Sequence, residues 1–141
     1  MTAQIIPFSF LFVFSVSVVS ALNLGYQSKD CSRKCESEFC LVPPFLRYGK
    51  YCGLMYSGCP GEIPCDGLDM CCMMHDNCIQ SKNNDYLSQE CSKKFINCMD
   101  NFRDTKQPTF KGNECNAKGV IQVISIVMEA AVFAGKVFGK P

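Results

Sequence analysis

The sequence predicts a small, mainly α-helical, disulfide-rich domain: two antiparallel helices bridged to each other, a glycine-rich loop before them, and a C-terminal amphipathic helix. Three observations carry that prediction. Twelve cysteines in 141 residues are an even, high count, which in a short chain signals an oxidised framework of bridges. Cys71 and Cys78 are seven residues apart, and so are Cys91 and Cys98; seven residues is two helical turns, so each pair shares one helix face. The segment 117–138 is strongly apolar but crossed by a polar stripe of Gln122, Ser125 and Glu129, the period of an amphipathic helix.

Residues 1–21 carry no charged side chain and hold an apolar run from Pro7 to Val19, ending in Val19-Ser20-Ala21, the small-x-small pattern of a cleaved secretory signal. The cysteines demand an oxidising compartment on independent grounds. Residues 1–21 are therefore read as a signal peptide and 22–141 as one domain, secreted or in the lumen of the secretory route, rather than as a membrane-anchored protein. A net charge of +1, from 14 basic and 13 acidic residues, gives no electrostatic footprint for nucleic acid.

Residues 22–39 are polar and cysteine-bearing, and read as an arm held by bridges. Residues 41–46, Leu-Val-Pro-Pro-Phe-Leu, are apolar but proline-broken and read as a loop. Between 48 and 64 stand Gly49, Gly53, Gly58, Pro60, Gly61 and Pro64, a density of turn formers that excludes a long helix or strand. Asp66 is placed to cap the first helix, with Asp69 helping its first turn, and the pattern reaches about Lys82 before Asn83-Asn84-Asp85 stops it. Ser88, followed by Gln89 and Glu90, opens the second helix, which runs to about Phe102. In the last helix Gln122 and Glu129 break the apolar run of about 18 residues that a membrane span needs. Packing onto the disulfide core is its plainer role and contact with a lipid surface the sharper one.

If the two cysteine-bearing helices run antiparallel, Cys78–Cys91 and Cys71–Cys98 close without conflict of register. Spacing alone does not fix this, since six bridges allow on the order of ten thousand pairings. His75, the one histidine, lies midway between these rungs, on a braced element suited to a preorganised group. A lone histidine is more often incidental, but Asp76 follows it directly. On a helix the two side chains diverge by about 100°, so one can move protons while the other holds a metal. Zinc is disfavoured, because the chain has no C-x-x-C pair and its thiols are committed to bridges. A hard cation on oxygen fits better: calcium takes carboxylates and backbone carbonyls, and the stretch from Tyr48 to Gly61 is a loop whose carbonyls can turn inward.

Tyr48-Gly-Lys-Tyr-Cys-Gly53 and Cys71-Cys-Met-Met-His-Asp-Asn-Cys78 together resemble the calcium loop and helix motif of the secretory phospholipases A2. The continuation Gly58-Cys-Pro-Gly-Glu62, the twelve cysteines and the short length resemble the plant type of that family. The likeness covers residues 31–98 and is only general beyond them. It implies a phospholipase A2-like fold, Ca2+ as cofactor, His75 as general base and Asp76 as calcium carboxylate. It implies loop ligands at the carbonyls of Tyr51 and Gly53, with a third at Met55 or Tyr56, because Met55 stands where the animal loop has a glycine. The implied reaction is calcium-dependent hydrolysis of the sn-2 ester of a glycerophospholipid by a water that His75 deprotonates, with Gly53 N–H available to the oxyanion.

Two positions depart from the animal pattern. The aspartate that orients the imidazole there corresponds to Ser92, and the tyrosine after the motif's last cysteine corresponds to Ile79. Ser92 can support the ring directly or through a water but cannot act as a charge partner. The membrane-resident substrate implies peripheral docking of a monomer, for which Leu41, Val42, Phe45, Leu46, Leu54 and Met55 together form a candidate rim; each taken singly is better explained as core. The competing readings are a catalytically silent lipid- or receptor-binding homologue, which the Ser92 and Ile79 departures keep open, and a lipid-transfer protein, which lacks support because no later C-x-C is present.

Overall fold

The computed structural model describes residues 31–139, so the expected signal peptide and the start of the arm lie outside the described residues. In chain order the elements are β1 (Glu36–Glu38), β2 (Arg47–Gly49), α1 (Gly67–Ser81), α2 (Gln89–Asp104) and α3 (Ala117–Phe138). The helices stand where the sequence places them, and for the expected reasons. Asp66 caps α1, its Oδ1 accepting the Leu68 and Asp69 N–H groups at 3.0 Å each. Beyond α1 the chain turns through Asn83 and Asn84 at φ +56° and +60°, a left-handed conformation that asparagine tolerates. Ser88 caps α2 through the Cys91 N–H, with Glu90 in the first turn and Arg103 in the last, each at the end of the helix dipole that favours its charge. Asn116 caps α3, accepting from Lys118 and Gly119.

Both rungs of the ladder form: Cys71–Cys98 and Cys78–Cys91 each hold their Cα atoms 5.7 Å apart, which fixes α1 and α2 as antiparallel. Phe95, Met99 and Phe102 recur at helical spacing on α2 and are buried with Leu68 of α1 and Val120, Ile121 and Ile124 of α3 in one core. Each such side chain withdrawn from water contributes about 1.5–3 kcal/mol. The distal half of α3 behaves differently, with Ile126, Phe133 and Val137 exposed. By length and mean hydropathy this helix is apolar enough to cross a membrane, but Val120, Ile121 and Ile124 are committed to the core.

Ahead of the helices the structure adds a feature that the reading of an arm and a loop omits. β1 and β2 pair antiparallel, Glu36 opposite Gly49 and Glu38 opposite Arg47. Strands of three residues carry too little alternation to be legible in sequence. The arm is tied on by Cys31–Cys59, Cys35–Cys65 and Cys40–Cys115, and with Cys52–Cys72 all twelve cysteines are paired.

The stretch after β2 is strapped to one face of α1 at three points. Asp69, Cys72 and Asp76 recur at i, i+3 and i+7, hence on one side of the helix. At the first point Asp69 is fully buried and its carboxylate accepts the N–H groups of Lys50 at 2.9 Å, Tyr51 at 2.8 Å and Cys65 at 2.8 Å. At the second, Cys72 is bonded to Cys52. At the third, Ser57 Oγ donates to Asp76 Oδ2 at 2.9 Å. Asp69 is the acidic residue in the first turn of α1, as expected, and its side chain in addition takes the amides of the loop. Burial pushes its carboxyl above the usual range, against the pull of the three amides. Gly49, at φ +64°, leaves room for this carboxylate, and any Cβ there would collide with it.

Replacing Asp69 by alanine would strand the amides of Lys50, Tyr51 and Cys65. At about 1–3 kcal/mol for each buried unpaired donor, Asp69→Ala should lower stability by roughly 3 kcal/mol or more in denaturant unfolding with the disulfides intact. A loss below about 1 kcal/mol would show that water satisfies these groups and that Asp69 is no anchor.

Candidate active site

His75 sits in the middle of α1, between the two bridges to α2. Its ring stacks on Phe95 of α2, with centroids 4.5 Å apart and planes inclined by 16°. A narrow, mainly apolar cavity of about 50 Å³ opens beside it, walled by Met74, Lys94, Phe95 and the two disulfides. The ring is half-buried, and its Nε2 is enclosed with no hydrogen-bond partner among the described residues. Desolvation lowers the imidazole pKa below its ordinary value, because removal from water penalises the charged ring. The neutral, proton-accepting form is the one this environment favours.

Ser92 lies one turn before Phe95 on α2 and is fully buried. Its Oγ, like His75 Nε2, has no hydrogen-bond partner among the described residues, so no direct bond joins them. Two enclosed polar atoms left unpaired are costly, and they stand on elements held together by Phe95 and the rungs. Ile79 is buried and offers the ring no polar support.

Asp76 meets the loop through Ser57. Among the described residues no three His, Cys, Asp or Glu side chains group as a metal site, so a cation here would need backbone oxygens. The loop offers them: the carbonyls of Tyr51, Gly53, Met55 and Tyr56 accept no hydrogen bond among the described residues. One carboxylate beside a run of free carbonyls is a hard-oxygen donor set that suits calcium. Met55 takes a left-handed conformation at φ +52°, so the chain makes here, without glycine, a turn for which glycine is usual. Tyr56 is fixed by its side chain, its hydroxyl donating to the Gly49 carbonyl at 2.8 Å while the Arg47 guanidinium covers its ring at 4.7 Å.

Of the candidate rim, Leu41, Val42, Phe45, Leu54 and Met55 are exposed, Met55 at 82%. Leu46 is not part of it: at 3% exposure it belongs to the core. Its carbonyl and backbone are held inward beside β2, where Arg47 Nη1 donates to it at 2.9 Å. The sequence reading missed Asp69, Ser57 and Phe95 as parts of the site. The first could have been found from its place seven residues before Asp76, on the same helix face. Phe95 is one turn from Ser92, yet nothing local marks it as the ring under His75.

Because the folded imidazole value is lowered, the stability contributed by the neutral ring is present above the ordinary value and lost as pH falls through the folded one. In calcium-free buffer, NMR titration of this single histidine should give a midpoint below 6.5. A midpoint at or above that value would mean that the ring is solvated or faces an anion.

No family model matches the chain. Its sequence is 74% identical over 149 residues to phospholipase A2-alpha of Arabidopsis thaliana, with the whole of both chains covered. It is 55% identical over 130 residues to phospholipase A2 homolog 3 of Oryza sativa subsp. japonica, covering 86% of this chain and 78% of that protein. Among solved structures, rice PLA2 in an orthorhombic crystal form matches with a TM-score of 0.72 at 52% identity, covering 77% of this chain and 99% of the other. A rice PLA2 complex with octanoic acid matches with a TM-score of 0.71 at 53% identity, covering 78% and 96%. With a relative this similar along its entire length and a fold shared with the rice structures, the chain belongs to the phospholipase A2 family, in its plant branch.

Proposed function

We propose that this protein is a calcium-dependent phospholipase A2, hydrolysing the sn-2 acyl ester of glycerophospholipids to a free fatty acid and a lysophospholipid. The observation that carries the proposal is the half-buried His75 on a doubly bridged helix, its pKa lowered by desolvation, with the adjacent Asp76 tied to a loop of free carbonyls. Full-length similarity to a protein named phospholipase A2-alpha supports the reaction class.

His75 acts as general base: Nδ1 takes a proton from water, whose oxygen attacks the sn-2 carbonyl, and the imidazolium then returns the proton to the departing alkoxide. Phe95 holds the ring plane by stacking, and burial shifts the ring towards its neutral form. Ser92 Oγ supports Nε2–H, directly after a small rotation or through a water, without placing a charge beside it. Gly53 N–H is free of any hydrogen bond among the described residues and is the donor proposed for the developing oxyanion. Asp76 and the carbonyls of Tyr51 and Gly53, with Met55 or Tyr56, would hold calcium. Calcium bound there would polarise the ester carbonyl and offset the phosphate charge.

The protein is proposed to act as a monomer in an oxidising compartment, outside the cell or within the secretory route, docking peripherally on phospholipid surfaces through Leu41, Val42, Phe45, Leu54 and Met55. A second reading is a silent lipid- or receptor-binding homologue, favoured only by the absence of a bond between Ser92 and the imidazole. Release of the sn-2 fatty acid from labelled phosphatidylcholine separates the two. The enzyme reading requires release with calcium and none with EGTA.

His75→Gln should reduce that release by a factor of at least 10², the usual worth of a general base, with the far-ultraviolet spectrum unchanged. More than about a tenth of wild-type activity would remove His75 from its role. Ser92→Ala should cost a factor on the order of ten in kcat, the size of one neutral hydrogen bond. An unchanged kcat would mean that Ser92 does not serve the ring.

A further inference from the structure

We infer that Ser57 is a positioning residue for the Asp76 carboxylate, and that its hydroxyl sets the affinity of the site for calcium. The inference rests on the proposal that Asp76 ligates calcium. Ser57 Oγ donates to Asp76 Oδ2 at 2.9 Å, a hydrogen bond to an ionised acceptor and hence among the stronger kinds. A carboxylate oxygen has more than one lone pair, so accepting this proton leaves capacity for a cation.

The donor is held in place independently of Asp76. The Ser57 carbonyl accepts the Ser32 N–H at 2.9 Å, and the Cys59 N–H donates back to the Ser32 carbonyl at 3.0 Å. Ser32 and Gly58 form a parallel bridge, and Cys31–Cys59 closes the same pair of strands covalently. The backbone at Ser57 is thereby pinned from the arm, and the hydroxyl is presented to the carboxylate rather than carried along by it. Preorganisation of this kind reduces the ordering that binding would otherwise require.

Position in the chain adds a second effect. Tyr51 enters the loop under the hold of Asp69, and Ser57 leaves it under the hold of Asp76. The free carbonyls of Tyr51, Gly53, Met55 and Tyr56 lie between two anchors on one helix face. Losing the Ser57 hydroxyl would remove this hold on the carboxylate while the backbone stays pinned from the arm, although Ser57 itself need not touch the ion. Partners that orient metal ligands in this way typically contribute 10–100-fold in affinity.

The test is calorimetric titration of Ca2+ into the disulfide-intact mature protein, comparing wild type, Ser57→Ala, Ser57→Thr and Asp76→Asn. The expected results are a Kd raised on the order of tenfold or more in Ser57→Ala, largely restored in Ser57→Thr, which keeps the hydroxyl, and binding lost in Asp76→Asn. Ser57→Ala within about twofold of wild type, with Asp76→Asn binding lost, would overturn the role of Ser57 while leaving the calcium site standing. An equal loss in Ser57→Thr would also overturn it, since the hydroxyl would not be what matters. Unchanged affinity in Asp76→Asn would overturn both the calcium reading and this inference.

Discussion

The buried carboxylate of Asp69 is the constraint on which the rest of the site depends. An ionised group removed from water is costly unless every lone pair is used, and here three backbone amides from two chain segments converge on it. The arrangement is self-limiting: Gly49 must lack a side chain for the carboxylate to fit, and Lys50 and Tyr51 must turn their N–H groups inward to satisfy it. Peptide groups whose amides are taken on one side present later carbonyls elsewhere. The free oxygens at Tyr51, Gly53, Met55 and Tyr56 come later in the same loop.

Packing alone braces a helix less firmly than covalent bridges do. The disulfides supply what the core cannot. Two of them flank His75 on α1, and a third, Cys52–Cys72, fixes the loop to the face that also carries Asp69 and Asp76. Phe95 stacks on the imidazole held there, and burial of the ring lowers its proton affinity. Burial disfavours a charged ring, and the serine at position 92 brings no charge to the site.

The apolar surface is divided rather than pooled. One face of α3 buries Val120, Ile121 and Ile124 into the core, while Ile126, Phe133 and Val137 remain outside. At the loop rim, Leu46 goes in and Phe45, Leu54 and Met55 stay out. Hydrophobicity of the residues does not distinguish the two groups. What distinguishes them is whether a neighbouring element arrives to cover them.

The helices were legible because their signals are local: Asp66, Ser88 and Asn116 act on amides two or three residues away, and seven-residue cysteine spacing defines a face without reference to anything distant. The pairing of the two helices was nearly legible, since equal spacings admit one antiparallel register for Cys71–Cys98 and Cys78–Cys91. His75 and Asp76 stood out through adjacency alone. The roles of Asp69, Ser57 and Phe95, the inward course of Leu46 and the short β1–β2 pairing were decided only by tertiary structure. Each depends on a partner far along the chain, and a sequence states which groups are present but not which amide, ring or carboxylate will face them once the backbone has closed.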